Sequence, residues 1–139
     1  MTFDVFLSFD GDCRDAIEFY AEVFNLEMPE NIMTYGQAPG MSVQGAAADR
    51  VLYANLSIFG CNVMFSDCQE GAVHVIGTNI VLTLGTTNKG EIVRLYAALS
   101  DGGQVKMELG KTFFSELYAM VTDKFGITWQ LSLTPFEEK

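Results

Sequence analysis

The 139-residue sequence predicts an α+β fold assembled from two βαβββ modules, and three observations lead there. The stretch FLSFDGDCRDAIEFYAEVF, Phe6 to Phe24, shares one plan with VLTLGTTNKGEIVRLYAAL, Val81 to Leu99: strand, turn, helix. Three strand-like segments follow each helix. Along those segments polar and apolar residues alternate with the period of two expected of half-buried strands.

Taken in order, the first strand directs Phe3, Val5, Leu7 and Phe9 toward a helix and Asp4, Phe6 and Ser8 to the opposite face. In the helix that follows, Ile17, Tyr20, Val23 and Phe24 form an apolar stripe, matched by Ile92, Leu95, Tyr96 and Leu99 in the second copy. With Tyr20 superposed on Tyr96, Asp12 falls on Asn88 as N-cap and Asp15 on Glu91 three residues later, a capping-box-like pattern in both copies. The acidic run Asp10, Asp12, Asp15 therefore reads as helix capping; a calcium loop would place glycine at its sixth position, where Asp15 stands.

Strands are expected over Glu27 to Thr34, Val51 to Phe59 and Asn62 to Ser66, with Gly60 and Cys61 as a tight connection. In the second half they are expected over Gln104 to Leu109, Leu117 to Thr122 and Ile127 to Leu133, with Lys124 to Gly126 as the connection. TYGQAPGMSVQGAAADR, Thr34 to Arg50, has the glycine, proline and alanine content of a long loop. The chain reads as one domain over residues 1–139, with module one at about 1–66, a linker at about 67–77 and module two at about 78–139.

Helices outside two half-sheets leave the other sheet faces to line a concave groove, the expected ligand site. In the second module Ile80, Leu82 and Leu84 should pack the helix, leaving Asn79, Val81 and Thr83 for the groove. Tyr53 and Asn55 alternate with Leu52 and Ala54, and Thr128, Gln130 and Ser132 with Ile127, Trp129 and Leu131. Asp4, Phe6, Tyr53, Asn55, Asn79, Val81, Phe114 and Gln130 are the candidate groove residues. Gln130 offers an amide, a neutral oxygen and two donors, where a carboxylate could hold a metal.

Composition narrows the function classes. A net charge of -10 and a pI near 4.3 repel phosphate backbones and anionic lipid, which excludes nucleic-acid and membrane-surface partners from the reading. No apolar run has the length of a membrane span, and Met1-Thr2-Phe3-Asp4 lacks the basic start of a signal peptide, so a cytoplasmic location is expected. Cys13, Cys61 and Cys68 make neither a C-x-x-C pair nor an even set, as suits free thiols in a reducing compartment. Cys13 sits at a helix start, where the dipole could lower its pKa. The only histidine, His74, lies in the linker and reads as a surface residue.

The paired βαβββ plan resembles the vicinal oxygen chelate superfamily, which includes glyoxalase I, extradiol dioxygenases and bleomycin resistance proteins. FDGDCRDAIEFY, TYGQAP, MFSD, and KTFF followed by YAMVTDKFGITW resemble its PhnB-like branch, sometimes labelled 3-demethylubiquinone methyltransferase-like. The resemblance implies a curved sheet groove with helices outside, and a homodimer. It also implies metal-ligand places near Asp4, near Met64 or Phe65, at Asn79 and at Gln130, a set with no histidine and no glutamate. Where relatives carry H-A-x-L after the long loop, this chain has Tyr53-Ala54-Asn55-Leu56. A protein that binds a small molecule of undetermined identity, with no metal and no cofactor, is therefore expected. The alternative is a metal-dependent lyase, isomerase or dioxygenase in which Asp4, Glu108 or another carboxylate collects the ion. Methyl transfer rests on a label, since no glycine-rich nucleotide loop follows a strand.

Overall fold

The computed structural model describes residues 1–40 and 42–135; Met41 of the expected long loop and residues 136–139 of the expected second module lie outside the described residues. The chain divides into two compact units, Met1–His74 and Val75–Lys139.

The first unit runs β1 (Val5–Phe9), α1 (Cys13–Val23), β2 (Met33–Thr34), β3 (Val51–Ile58) and β4 (Cys61–Asp67). The second runs β5 (Leu82–Thr86), α2 (Lys89–Ser100), β6 (Gln104–Gly110), β7 (Tyr118–Thr122) and β8 (Thr128–Leu133). The sheets are ordered β1-β4-β3-β2 and β5-β8-β7-β6, so the expected α+β, βαβββ plan holds in each unit. In both, the first strand pairs in parallel with the last while the remaining pairs are antiparallel. The helical crossover supplies the long connection that parallel pairing requires.

Period-two patterning decides which face each helix covers. In the first unit Leu7, Phe9, Ala54, Leu56, Val63 and Phe65 are buried, with Ala16, Ile17 and Tyr20 of α1. The Phe65 ring lies 5.9 Å from Tyr20 and 6.1 Å from Phe9. Ala119, Val121, Trp129 and Leu131 are buried in the second unit with Ile92, Leu95 and Leu99 of α2. Each fully buried aromatic or aliphatic side chain contributes about 1.5–3 kcal/mol.

Four expectations are corrected. Of Glu27 to Thr34 only Met33 and Thr34 pair, as an edge strand against β3; Pro29 has no N–H for a ladder, and its exposed polar neighbours have no face to bury. Phe3 and Ile80 precede β1 and β5 and are 97% and 75% exposed, so the helix-facing pattern begins only where pairing begins. The β3–β4 connection is Phe59-Gly60, with both φ angles positive (49° and 81°) as a two-residue hairpin of right-handed twist demands.

The fourth correction concerns the helix starts. Asn88 caps α2 as expected, its Oδ1 accepting the Glu91 N–H at 3.1 Å, but Glu91 turns to Arg94 instead of completing a box. Asp12 makes no side-chain cap bond. Asp67, at the end of β4, takes its place, with Oδ1 accepting the N–H groups of Gly11 (2.7 Å) and Cys13 (3.1 Å). Its Oδ2 accepts the Val51 N–H at 2.9 Å, so one buried carboxylate joins the starts of α1 and β3.

The long loop also has internal order. Two 3-10 turns, Tyr35–Gln37 and Gly45–Asp49, lie side by side, and a Cβ on Gly36 would come within 2.9 Å of Ala48 Cβ. Tyr35 N–H to Arg50 O (3.0 Å) and Tyr35 hydroxyl to Asp67 O (2.7 Å) close the loop at its base.

Candidate functional site

Each sheet has one face under its helix and one face left uncovered, and the candidate residues fall on the uncovered faces where they fall on strands at all. In the first sheet Phe6, Met64 and Asn55 stand in one cross-strand row. Tyr53 lies two residues along β3, opposite Met33 on β2. Phe6, Tyr53 and Asn55 are exposed, and the Asn55 amide donates to Asn62 Oδ1 at 3.0 Å. Asp4 precedes β1 and is exposed.

The second sheet gathers its polar groups more tightly. Thr83, Gln130, Met120 and Met107 form a row across all four strands. Gln130 Oε1 accepts the Tyr118 hydroxyl at 2.6 Å, and its Nε2 donates to Thr83 Oγ1 at 2.5 Å. Phe114 meets Tyr118 edge-on, ring centres 5.0 Å apart, and Phe113 meets Phe114 at 5.2 Å. Phe114 and Gln130 thus join through Tyr118, a residue absent from the sequence-based candidates. Tyr118, itself buried at 6% exposure, shares a face with the half-buried Met120 and Thr122, opposite Ala119 and Val121, and that period of two could have placed it. Asn79 and Val81 lie before β5, the first exposed and the second half-buried, so neither joins the row.

The turn that carries the two phenylalanines is pinned from below. The Thr112 N–H donates to Ser115 O at 2.9 Å and the Ser115 N–H to Thr112 Oγ1 at 3.1 Å. The buried Ser115 hydroxyl lies 2.9 Å from both Leu117 O and Leu133 O. At the tip, Phe113 is 101% and Phe114 58% exposed.

A second polar cluster, at the edge of the first unit, was not legible in the sequence. The Arg50 guanidinium contacts Asp10 Oδ1 (2.6 Å), Cys68 O (3.0 Å) and Cys68 Sγ (3.6 Å), and the thiol lies 3.5 Å from Asp10 Oδ1. Hydrogen bonds from Arg50 and Cys68 hold the Asp10 carboxyl below its ordinary pKa, and Asp10 in turn raises Arg50. Desolvation, then the hydrogen bond to Asp10, raises the Cys68 thiol. His74 Nε2 lies 2.9 Å from Ser8 O, which fixes the linker histidine to the edge of β1. Burial pushes the Cys13 thiol far up, with Asp67 and Asp12 adding to it, against the lowering that a helix start could bring.

The donor chemistry at the implied ligand places does not fit a divalent metal. Met64 offers a thioether and Phe65 nothing, Asn79 and Gln130 offer neutral amides, and Asp4, the one carboxylate, is exposed ahead of β1. Among the described residues no three histidine, cysteine, aspartate or glutamate side chains cluster at metal-binding spacing.

Comparison with known proteins matches residues 2–132 to the family described as 3-demethylubiquinone-9 3-methyltransferase. The chain is 29% identical to Protein YjdN of Escherichia coli over 96% of its own length and 95% of that protein's. Protein PA1353 from Pseudomonas aeruginosa superposes with a TM-score of 0.84 at 28% identity, covering 96% of this chain and 97% of that one. A putative 3-demethylubiquinone-9 3-methyltransferase, the PhnB protein from Bacillus cereus, gives 0.72 at 25% identity, covering 96% and 100%.

Proposed function

We propose, from the premise that this chain belongs to the family described as 3-demethylubiquinone-9 3-methyltransferase, that it binds a small molecule on an uncovered sheet face without a resident metal or cofactor. One observation carries the reading: both ends of the Gln130 amide are bonded within the protein, to Tyr118 and Thr83, beside exposed aromatic surface. An amide oxygen that already accepts from Tyr118 has one neutral lone pair left, a weak hold on a divalent ion that no carboxylate cluster among the described residues reinforces. Aromatic packing with a few placed polar groups is the usual chemistry of small-molecule recognition. Phe6, Tyr53 and Asn55 on the first sheet have the same character and belong to the same reading.

Two βαβββ units support membership of the vicinal oxygen chelate superfamily as the finer placement. Its metal-dependent lyase, isomerase or dioxygenase chemistry is the alternative, but Asp4 and Glu108, the carboxylates that would serve it, are exposed singly on different units. Methyl transfer is no part of the proposal, because each sheet is four-stranded and mixed, unlike a doubly wound nucleotide-binding sheet. All three cysteines are free, which supports a reducing, cytoplasmic setting. No helix of the described residues is long and apolar enough to cross a membrane. A symmetric homodimer completes the proposal, supported by the uncovered apolar side chains of Phe3, Val73 and Val75.

The test is elemental analysis of protein purified without chelator, joined to a ligand screen by protein-observed NMR. No stoichiometric metal is expected, and hits should move the signals of Thr83, Tyr118 and Gln130. One tightly held zinc, nickel, iron or manganese per chain, lost in Gln130→Ala, would overturn the reading.

A further inference from the structure

We infer that the second sheet selects a flat, uncharged aromatic ligand bearing a carbonyl-type hydrogen-bond acceptor, and that Thr83 is the donor that reads the acceptor. The inference rests on the proposed binding function and names its ligand class.

The direction of the hydrogen-bond chain carries it. Gln130 Oε1 has no proton, so across the 2.6 Å contact the Tyr118 hydroxyl must donate. Gln130 Nε2 has only protons to give, so Thr83 Oγ1 must accept. Thr83 therefore keeps its own hydroxyl proton, at an exposed position on β5. The chain Tyr118, Gln130, Thr83 ends in an outward donor whose partner must be an acceptor.

Aromatic shape is supplied by the turn at the other end of the chain. Ser115 and Thr112 fix the backbone of a turn whose tip carries Phe113 and Phe114 outward, so the loop itself is already ordered before binding. Flat π-surface is what such rings pack against best. Charge sets the remaining requirement. Lys111 and Glu116, the charged residues flanking the turn, stand 3.5 Å apart, so the lysine nearest the turn has a carboxylate beside it. The net charge of -10 also repels anions from the whole protein.

The experiment titrates the protein by NMR with 9-fluorenone, fluorene and 9-fluorenone-4-carboxylate, reading shifts of Thr83, Gln130 and Phe114. The ketone should bind about threefold to tenfold more tightly than the hydrocarbon, the worth of one neutral hydrogen bond, and more tightly than the carboxylate. Thr83→Val, which keeps the β-branched shape, should abolish the preference for ketone over hydrocarbon while leaving fluorene binding unchanged. Phe114→Leu should weaken all three together. Equal binding of ketone and hydrocarbon to the wild type, with shifts at the same residues, would overturn the ligand class and leave the binding surface standing. A ketone preference that survives Thr83→Val would remove Thr83 from its role. If none of the three moves these signals, the ligand class and the proposed face fall together.

Discussion

Trp129 and Gln130 are sequence neighbours with opposite duties. Trp129 is 3% exposed on the helix side of β8, and its indole N–H donates to Asp123 Oδ2 at 2.9 Å. Trp129→Ala should cost about 3–5 kcal/mol of stability as a large core truncation. Gln130→Ala, on the uncovered face, should cost roughly 1 kcal/mol, for the lost bonds to Tyr118 and Thr83, and should weaken ligand binding by a further 0.5–1.5 kcal/mol or so. Denaturant melts of both variants, with an NMR titration of the second, check this. A harmless Trp129→Ala beside an unfolded Gln130→Ala would mean that the faces of β8 are reversed.

At the scale of the element, the two helices start alike in sequence and differently in structure. Asn88→Ala should cost about 1 kcal/mol, the usual worth of an N-cap. Asp12→Ala should stay within about 0.5 kcal/mol, because its side chain caps nothing. Asp67→Ala should cost about 3–5 kcal/mol, since three backbone donors lose a charged acceptor at once. Urea midpoints of the three variants give the ranking; an Asp12 variant as damaged as the Asp67 variant would restore the cap that the sequence suggests. The same comparison shows what was legible. Periodicity placed both helices and the faces of β1, β3 and β8, because burial on one side writes a local period into the chain. Asp67 was read as the start of a linker because its partners Gly11 and Cys13 lie 56 and 54 residues away, and no local pattern records such contacts. The Arg50, Asp10 and Cys68 cluster was hidden for the same reason. Asp4, Asn79 and Val81 were assigned faces on strands that begin only at Val5 and Leu82. Alternation alone does not mark where pairing stops.

For the whole molecule, acidity sets the response to pH. The Glu91 carboxyl sits below its ordinary 4.5 because Arg94 donates to it, as Asp10 sits below 3.8 beside Arg50 and Cys68. With a depressed folded-state pKa the unfolded chain takes up its proton first as pH falls. The stabilisation is whole above those ordinary values and is lost as pH drops through the folded ones. The difference in urea midpoint between wild type and Glu91→Gln should therefore be larger at pH 7 than at pH 3, and smaller in high salt because the pair is exposed. A difference that ignores both pH and salt would count against it. Light scattering should give twice the 15.3 kDa chain mass for the proposed homodimer; the single mass at micromolar concentration would refute it. Asp67 adds a consequence in time. A ribosome delivers Gly11, Cys13 and Val51 before it delivers the carboxylate that holds all three, and β1 waits for β4 in the same way. A nascent chain halted short of residue 67 has a helix start without its acceptor, even where the rest of β4 already pairs with β1. The three bonds of Asp67 thus form only once all of residues 11–67 are present, so the first module is complete as a folding unit before the second.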